Sequence, residues 1–346
     1  MKITRVGVDI AKSVFHVHGV DRHDKKVWTG KLTRSKWLAA VCEKVEPGSE
    51  IGMEACAGSH HWARELSSRG YIVKLIAAQF VKPYVKSNKN DSVDAEAISE
   101  AMSRPSMRYV RPKTIAQQDV QAIHRVRTEL VGQRTAKVNQ IRGLVGEYGI
   151  VAPVGINQLR RALPCWLEDA ENGLSSLFRE LLQGVWRDLR NLDERVVELD
   201  ESIQVLVKED PVARRLSKLR GVGPITATAL SVALGDGRGF KCGRDFAVSL
   251  GLTPKQHSTG GKERLLGISK RGDPYLRTLL VHGARAVVAA AKRHSQSDSL
   301  SEWIKDLSAR KHANVVNVAL ANKTARIAWA LVRHQREYEP SMTMSV

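Results

Sequence analysis

The sequence predicts an α/β domain at the N-terminus followed by mostly α-helical segments. Short β-prone runs alternate with helical patterns over the first hundred residues, two long amphipathic helical patterns follow, and the C-terminal third combines a glycine-rich turn with apolar helices. A chain of 346 residues is long enough for two or three domains. We predict domains at residues 1–110, 111–209 and 210–340.

The chain begins with three β-prone runs separated by polar turns. Apolar residues alternate from Val6 to Ile10, and residues 14–20 and 25–31 follow as two more short strands. The next patterns are, in order, helix 35–45, strand 50–54, helix 60–69, strand 71–76, a short helix at 79–85 and a helix from Asp91. A β-meander followed by this αβαβ order is typical of a ribonuclease-H-like domain.

The middle of the chain predicts two long helices, at 114–147 and 174–208, with breaks at Pro153 and Pro164. Apolar residues of the second helix are spaced alternately by four and three, which is the heptad repeat of a coiled coil. These residues are Phe178, Leu182, Val185, Leu189, Leu192, Val196, Leu199, Ile203 and Leu206. Such a helix either joins two chains or packs against the first long helix in one chain, and the spacing fits both.

After Pro211 the pattern predicts a helix over 216–221, a turn at Gly221-Val222-Gly223-Pro224 and a helix over 225–234. In a helix-hairpin-helix, glycines let the backbone approach a phosphate, and free N–H groups at the second helix receive it. We therefore predict that Gly221 and Gly223 contact the DNA backbone. An ordinary corner between two helices is the alternative.

Four acidic residues fall where a metal site is expected. Asp9 ends the first strand and Glu54 the fourth, while Asp91 and Asp94 lie three apart on one helical face. The first and fourth strands of a ribonuclease-H-like sheet are neighbours, and a late helix packs beside their carboxyl ends. Clustered carboxylates repel one another, and hard divalent cations compensate for that repulsion. Two Mg2+ ions there activate the attacking oxygen and stabilise the leaving oxygen of a phosphodiester.

A glycine-rich segment at residues 251–273 contains Ser258, and an apolar helix is predicted after it. A DNA phosphate is drawn to the cations around this serine, and such cations stabilise the transition state of attack at phosphorus. A flexible loop without chemistry is the alternative. The cations are Lys255, Lys262, Arg264, Lys270 and Arg271.

The chain is strongly basic, with 55 lysines and arginines against 36 acids and a formal charge of +19. Because 42% of its residues are hydrophobic, a disordered basic tail is excluded and a folded protein with a polyanionic partner, nucleic acid, is favoured. Residues 210–346 have 23 cations and 10 acids, so most of the excess accompanies Ser258 and the predicted hairpin. The lack of a signal-like or transmembrane stretch and of Cys-x-x-Cys spacing predicts a cytoplasmic protein with reduced thiols.

Five motifs in order resemble one protein family. They are Val8-Asp9-Ile10-Ala11-Lys12, Met53-Glu54-Ala55, Asn90-Asp91-Ser92-Val93-Asp94-Ala95, the Gly221–Pro224 turn, and Gly251-Leu252-Thr253-Pro254 through Gly267-Ile268-Ser269-Lys270-Arg271-Gly272. Together they resemble the transposases of insertion-sequence family 110 over about residues 3–335. The form of residues 256–261, QHSTGG, is similar to its eleven-eleven subgroup.

The resemblance implies a RuvC-like domain in which Asp9, Glu54, Asp91 and Asp94 bind Mg2+, a coiled-coil dimerisation segment and a transposase domain. It implies that Ser258 attacks DNA and forms a covalent phosphoserine link. Thr259 is the alternative nucleophile, and the eleven-residue distance from Ser258 to Ser269 favours Ser258.

Transposases of this kind are DNA recombinases directed by a non-coding bridge RNA that pairs with donor and target DNA. Their active site joins the carboxylates of one subunit to the serine of another, which implies a homodimer that assembles into a homotetramer. Two other functions fit the residues: a Holliday-junction-resolvase-like endonuclease that uses two metals without a serine, and a non-catalytic nucleic-acid-binding protein. An actin-like ATPase, suggested by Asp9 and Lys12, lacks a second phosphate loop.

Overall fold

The structure is a computed structural model that describes residues 2–85, 91–293 and 298–339; the side chain of Asp91 is outside this description. The chain divides into two compact units, Met1–Gln117 and Gln118–Val346. The first contains a mixed sheet and the second is mostly helical, which confirms the coarse fold class expected from the sequence. The three predicted domain boundaries stay predictions.

The first unit is built on a six-stranded sheet. Its strands are β1 (Arg5–Ile10), β2 (Val14–Val20), β3 (Lys26–Thr33), β4 (Glu50–Glu54), β5 (Ile72–Ile76) and β6 (Tyr109–Val110), in the order β3-β2-β1-β4-β5-β6. β1, β2 and β3 pair antiparallel, whereas β4 pairs parallel with both β1 and β5. Strand β1 therefore joins the antiparallel part of the sheet to the parallel part. The two-residue strand β6 pairs antiparallel with β5 and was not predicted.

Helices of the first unit lie close to the predicted positions. They are α1 (Trp37–Lys44), α2 (Ser59–Ser67), α3 (Ala78–Val81) with a 3-10 turn at Lys82–Tyr84, and α4 (Asp91–Met102). Val6 and Val8 of β1 share a core with three aromatic residues, Phe15, Trp37 and Trp62. These three rings meet edge to face, with centroids 4.9 to 5.6 Å apart. The alternation of β1 thus buries its valines with α1 and α2.

The opposite side of β1 and β4 is covered by α4. An added Cβ at Gly7 would lie 2.2 Å from the carbonyl oxygen of Ala95 and 2.6 Å from the amide nitrogen of Ser99. A Cβ at Gly52 of β4 would overlap Met102 in the same way. The backbone of α4 therefore rests directly on the sheet at two glycines, a contact that no larger residue permits.

The second unit begins with a long helical hairpin. Its helices are α5 (Ile115–Gly146), α6 (Ile156–Glu168) and α7 (Ser176–Glu209), with the start of α5 in the first unit. Ion pairs join α5 to α7 in opposite order along the two helices, so these helices are antiparallel: Arg127–Asp200, Arg134–Asp193 and Lys137–Asp188. All nine heptad residues of α7 are buried or half-buried in this single chain. The structure thus favours packing within one chain.

Pro164 does not end a helix, contrary to prediction, because it lies inside α6. Its ring removes one backbone hydrogen bond to the preceding turn. Leu159 and Leu163 of α6 are fully buried against α5 and α7, and this burial offsets the loss.

The rest of the unit is a helical bundle with one small hairpin. Its elements are α8 (Pro211–Leu216), α9 (Pro224–Leu234), α10 (Gly243–Ser249), β7 (Pro254–Gln256), β8 (Leu265–Ile268), α11 (Pro274–Arg293), α12 (Ser299–Arg310) and α13 (Ala313–His334). The predicted helix over 216–221 is wrong, because α8 ends where that helix was to begin. Asp210 caps α8 by accepting a hydrogen bond from the Val212 amide at 2.8 Å, and Pro211 starts it.

Two general properties follow from the described part of the chain. In residues 2–85, 91–293 and 298–339, no helix combines the length and apolar character needed to cross a bilayer. All four cysteines, Cys42, Cys56, Cys165 and Cys242, are free thiols.

Candidate active site

Asp9 and Glu54 occupy neighbouring positions at the ends of β1 and β4. The parallel register pairs Val8 with Met53, and its continuation by one residue brings Asp9 beside Glu54. Side chains alternate along a strand, so both acids share the sheet face of Gly7, two residues before Asp9, which α4 covers. Each is half-buried. The sheet register therefore brings together two of the four predicted acids.

The other two acids belong to α4. Asp94 directly precedes Ala95, whose carbonyl oxygen is the atom closest to the Cβ position of Gly7. Asp94 is half-buried and lies where α4 crosses β1. Asp91 is the first residue of α4, and its side chain lies outside the described residues. Contact between α4 and β1 thus puts Asp94 near the strand that ends in Asp9.

A thiol reports on the field of the carboxylates. Burial raises the pKa of Cys56, and the negative charges of Glu54 and Asp9 raise it further. Both carboxylates therefore act on the same sulfur atom, just beyond the end of β4. The sequence did not single out Cys56.

The donor chemistry of the two adjacent acids fits a hard cation. Carboxylate oxygens are the ligands that Mg2+ prefers, and the overlapping fields of Asp9 and Glu54 are those that a cation neutralises. Among the described side chains, no group of three or more histidines, cysteines and acids is arranged to hold a metal ion. Asp91 is not among the side chains searched, so the four-carboxylate site stays a prediction.

Sequence reasoning missed two histidines beside this site. The antiparallel register pairs His16 of β2 with Asp9 and His18 with Gly7. Alternation puts both histidines on the sheet face of Asp9. The signal was available, because a His-Val-His pattern in the strand after Asp9 returns its histidines to that strand.

Ser258 lies at the end of the β7–β8 hairpin, in the loop between the strands. The His257 amide donates to the carbonyl oxygen of Arg264 at 2.9 Å, and the Arg264 amide donates to Ser258 Oγ at 3.4 Å. Gly260 and Gly261 turn the chain with φ values of 57° and 77°, in the region that favours glycine. Ser258 is exposed. The segment presents its hydroxyl group to solvent on a short hairpin instead of the irregular loop considered from sequence.

Positive charge around Ser258 is not neutralised in the described part of the chain. The five cations predicted to bind nucleic acid are exposed and form no ion pair with a described residue; they are Lys255, Lys262, Arg264, Lys270 and Arg271. Glu263 of the same loop pairs with none of them. Such a surface favours an anionic partner.

Packing explains one of the two glycines in the predicted helix-hairpin-helix. Gly221 has φ of 81°, and a Cβ there would lie 2.8 Å from the carbonyl oxygen of Gly283 in α11. A Cβ at Gly283 would lie 2.0 Å from the carbonyl oxygen of Gly221. Gly223 is exposed, precedes α9 as its N-cap and has open space beside it. Phosphate binding by the two glycines stays a prediction, and Gly223 is the more accessible.

Comparison with known proteins identifies relatives along almost the whole chain. Residues 6–150 match a transposase family of the DEDD type, and residues 213–299 match the transposase IS116/IS110/IS902 family. A probable family 20 transposase of Pseudomonas aeruginosa is 49% identical over 98% of this chain and 100% of its own length. The transposase for insertion sequence element IS1111A of Coxiella burnetii is 43% identical over 96% of this chain and 90% of its own. The transposase for element IS1328 of Yersinia enterocolitica is 43% identical over 95% and 96%.

Proposed function

The chain belongs to the IS116/IS110/IS902 family of transposases, and on that premise we propose that it is a bridge-RNA-guided DNA recombinase. It excises and integrates an insertion sequence by cutting DNA and exchanging strands. A non-coding RNA that pairs with donor and target DNA selects the sites. The strongly basic composition supports nucleic acid as the partner.

The N-terminal unit is proposed to be a ribonuclease-H-like domain of the RuvC type. Three antiparallel strands precede two strands that run parallel to the first, which is the order expected for this fold. The helix α4 on one face of β1 and β4 completes the resemblance. The proposed helix-hairpin-helix in the second unit is supported by the exposed N-terminus of α9 after Gly223.

The adjacency of Asp9 and Glu54 on the face covered by α4 carries the proposal. Together with Asp91 and Asp94 they would hold Mg2+. When bound, Mg2+ supplies positive charge that activates an oxygen nucleophile and stabilises a leaving oxygen at phosphorus. The protein's own contribution is to hold the acids on rigid strands and a packed helix, so that they do not have to rearrange.

Ser258 is proposed to be the nucleophile. Its Oγ forms a bond to a DNA phosphorus while one bond from that phosphorus to a deoxyribose oxygen breaks, and the serine proton ends on the leaving oxygen. A deoxyribose hydroxyl of the second strand then attacks the phosphoserine, which returns the proton to Ser258. The exposed hydroxyl and the unneutralised cations around it support this role.

Single substitutions test both sites with DNA that contains the ends of the element. We expect Asp9→Asn, Glu54→Gln and Ser258→Ala each to reduce strand exchange by at least 100-fold. Each removes a group that acts at phosphorus. In the wild-type protein we expect a DNA adduct that survives denaturing electrophoresis and is lost in Ser258→Ala.

Two matched controls make the result specific. Glu65→Gln removes an exposed acid of α2 that pairs with Arg69, and Thr259→Ala removes the neighbouring hydroxyl; both should keep activity. A Ser258→Ala protein that still cuts and rejoins DNA contradicts the serine step and favours a two-metal endonuclease. Unchanged activity in EDTA contradicts the metal site. Failure to retain RNA from the flank of the element in filter binding contradicts RNA guidance.

A homodimer that assembles into a homotetramer is also proposed, but through other residues than the heptad positions. Those positions are occupied by packing within the chain. Apolar side chains remain exposed at the end of the helical hairpin: Val151 at 92%, Val154 at 93%, Leu177 at 72% and Leu181 at 55%. An exposed apolar cluster of this kind is typical of a protein interface. We propose that it meets the same surface of a second chain.

Light scattering tests the dimer. The double variant Leu177→Glu, Leu181→Glu should halve the mass of the particle, because it puts charge in an apolar interface. Val197→Glu is the control, since Val197 is 54% exposed on the same helix away from that end. A double variant with unchanged mass contradicts the surface, and a monomeric wild type with full strand exchange contradicts the dimer.

A further inference from the structure

Two cations of α13 are half-buried side by side. Lys323 and Arg326 lie three residues apart, on neighbouring positions of one helical face. Helix α13 contains no aspartate or glutamate. Both cations also lie beyond residue 299, where the match to the transposase family ends. Neither sequence motifs nor that match points to them.

The charge of this pair is not compensated by the described residues. Neither Lys323 nor Arg326 forms an ion pair with an acid of the described chain. Burial and the positive charge of Arg326 lower the pKa of Lys323. Lys323 Nζ is held 5.3 Å from the ring centroid of Trp303 in α12, a contact that orients the ammonium group. Two like charges in partial burial destabilise each other, and a bound anion removes that repulsion.

The pair is connected to the base of the serine hairpin. Asn322, next to Lys323, donates from Nδ2 to the carbonyl oxygen of Leu252 at 3.3 Å, two residues before β7. A Cβ at Gly243 of α10 would lie 2.9 Å from the carbonyl oxygen of Arg326, so α10 packs closely against α13 there. Helix α10 leads directly into Leu252. The segment that carries Ser258 is therefore anchored on the turn of α13 that carries both cations.

We propose that Lys323 and Arg326 bind a backbone phosphate of the DNA strand that Ser258 attacks. This site rests on the proposed function, since that function puts DNA at the hairpin. A phosphate supplies the missing negative charge, and the ammonium and guanidinium groups donate hydrogen bonds to its oxygens. The anchored hairpin then meets its target at a fixed distance along the strand. RNA has the same phosphate chemistry and is an outcome of the test.

The salt dependence of DNA binding by the full-length protein tests the site. Fluorescence anisotropy with a labelled duplex gives the slope of log K against log salt, which falls by roughly 1 for each phosphate-binding cation removed. We expect Lys323→Gln and Arg326→Gln each to lower the slope by about that amount and the double variant by about 2. Lys137→Gln is the control, because Lys137 is also partly buried but pairs with Asp188 at 3.1 Å. It should keep the wild-type slope.

A footprint on the wild-type protein covers the case in which a variant does not fold. DNA should protect Lys323 from an amine-reactive reagent and leave Lys137 as reactive as before. Wild-type slopes in the double variant, or equal Lys323 reactivity with and without DNA, overturn the site and leave the proposed function intact. A loss of slope with single-stranded RNA alone assigns the pair to RNA and also overturns it. A wild-type protein without DNA affinity overturns the proposed function itself.

Discussion

His124 lies buried in α5, where both ring nitrogens meet hydroxyl groups from other helices. The Thr228 hydroxyl of α9 donates to the carbonyl oxygen of Pro224 at 2.9 Å, so its oxygen accepts from His124 Nε2–H at 3.0 Å. His124 Nδ1 then accepts from the Tyr275 hydroxyl of α11 at 2.9 Å. The histidine is therefore neutral, with its proton on Nε2. Burial lowers its pKa to about 4, and the charge of Arg127 lowers it further.

This histidine predicts a loss of stability in mild acid. Because its folded pKa is below the ordinary value of 6.5, its contribution is present above pH 6.5 and is lost as the pH falls towards 4. Between pH 7 and pH 5 we expect His124 to account for about 1–2 kcal/mol of the fall in the free energy of unfolding. Urea titrations at both pH values measure it. The His124→Gln variant should show a smaller fall, and an equal fall in both proteins contradicts this role.

At the scale of elements, the contact between α4 and Gly7 has the most direct effect on the carboxylates. The atoms facing Gly7 belong to the backbone of α4, which cannot rotate away as a side chain can. Any side chain there pushes α4 from β1 and takes Asp94 with it. The glycine is thus part of the site, although it has no functional group.

We expect Gly7→Ala to lower the free energy of unfolding by about 1–3 kcal/mol, the usual cost of overpacking, and to abolish strand exchange. Gly30→Ala in β3 is the matched control, because a Cβ there meets its nearest atom, Cγ2 of Val17, at an ordinary 3.4 Å. Denaturant titration and the strand-exchange assay report the two effects. A Gly7→Ala protein as active as Gly30→Ala would show that α4 has room to move.

Strong periodicity explains which elements were predictable. Strands β1 to β5 and helices α5 and α7 are long or regularly patterned, and each lies within a few residues of its predicted place. The β7–β8 hairpin was not recognised, because its strands have three and four residues and show hardly any buried side. The same holds for the site. Strand ends indicated Asp9 and Glu54, whereas His16 becomes visible only through the register of β2.

Over the whole molecule, charge is organised by ion pairing as well as by composition. The near-neutral middle segment uses its charges internally, in pairs such as Lys137–Asp188 between α5 and α7. The C-terminal bundle instead leaves cations such as Lys255 and Lys323 without a carboxylate among the described residues. Composition could predict the excess but not which cations are left for a ligand, because pairing depends on contacts distant in sequence.

The division into two units predicts the effect of metal on unfolding. A ligand stabilises only the structure that binds it, so Mg2+ should raise the midpoint of one thermal transition, that of Met1–Gln117, and leave the other. Calorimetry measures both transitions. Asp9→Asn should remove the shift, whereas Ser258→Ala in the other unit should keep it. An equal shift of both transitions, or one that persists in Asp9→Asn, contradicts a carboxylate metal site.

The interlocked pair Gly221 and Gly283 has a consequence for how such chains evolve. Each residue occupies the space in which the other would need a Cβ, so neither can be replaced while its partner stays in place. Relatives should keep both glycines or lose both together with the crossing of α11. A retained Gly-x-Gly turn is then no sign that selection acts on DNA contact, because the neighbouring helix alone is enough to preserve its first glycine.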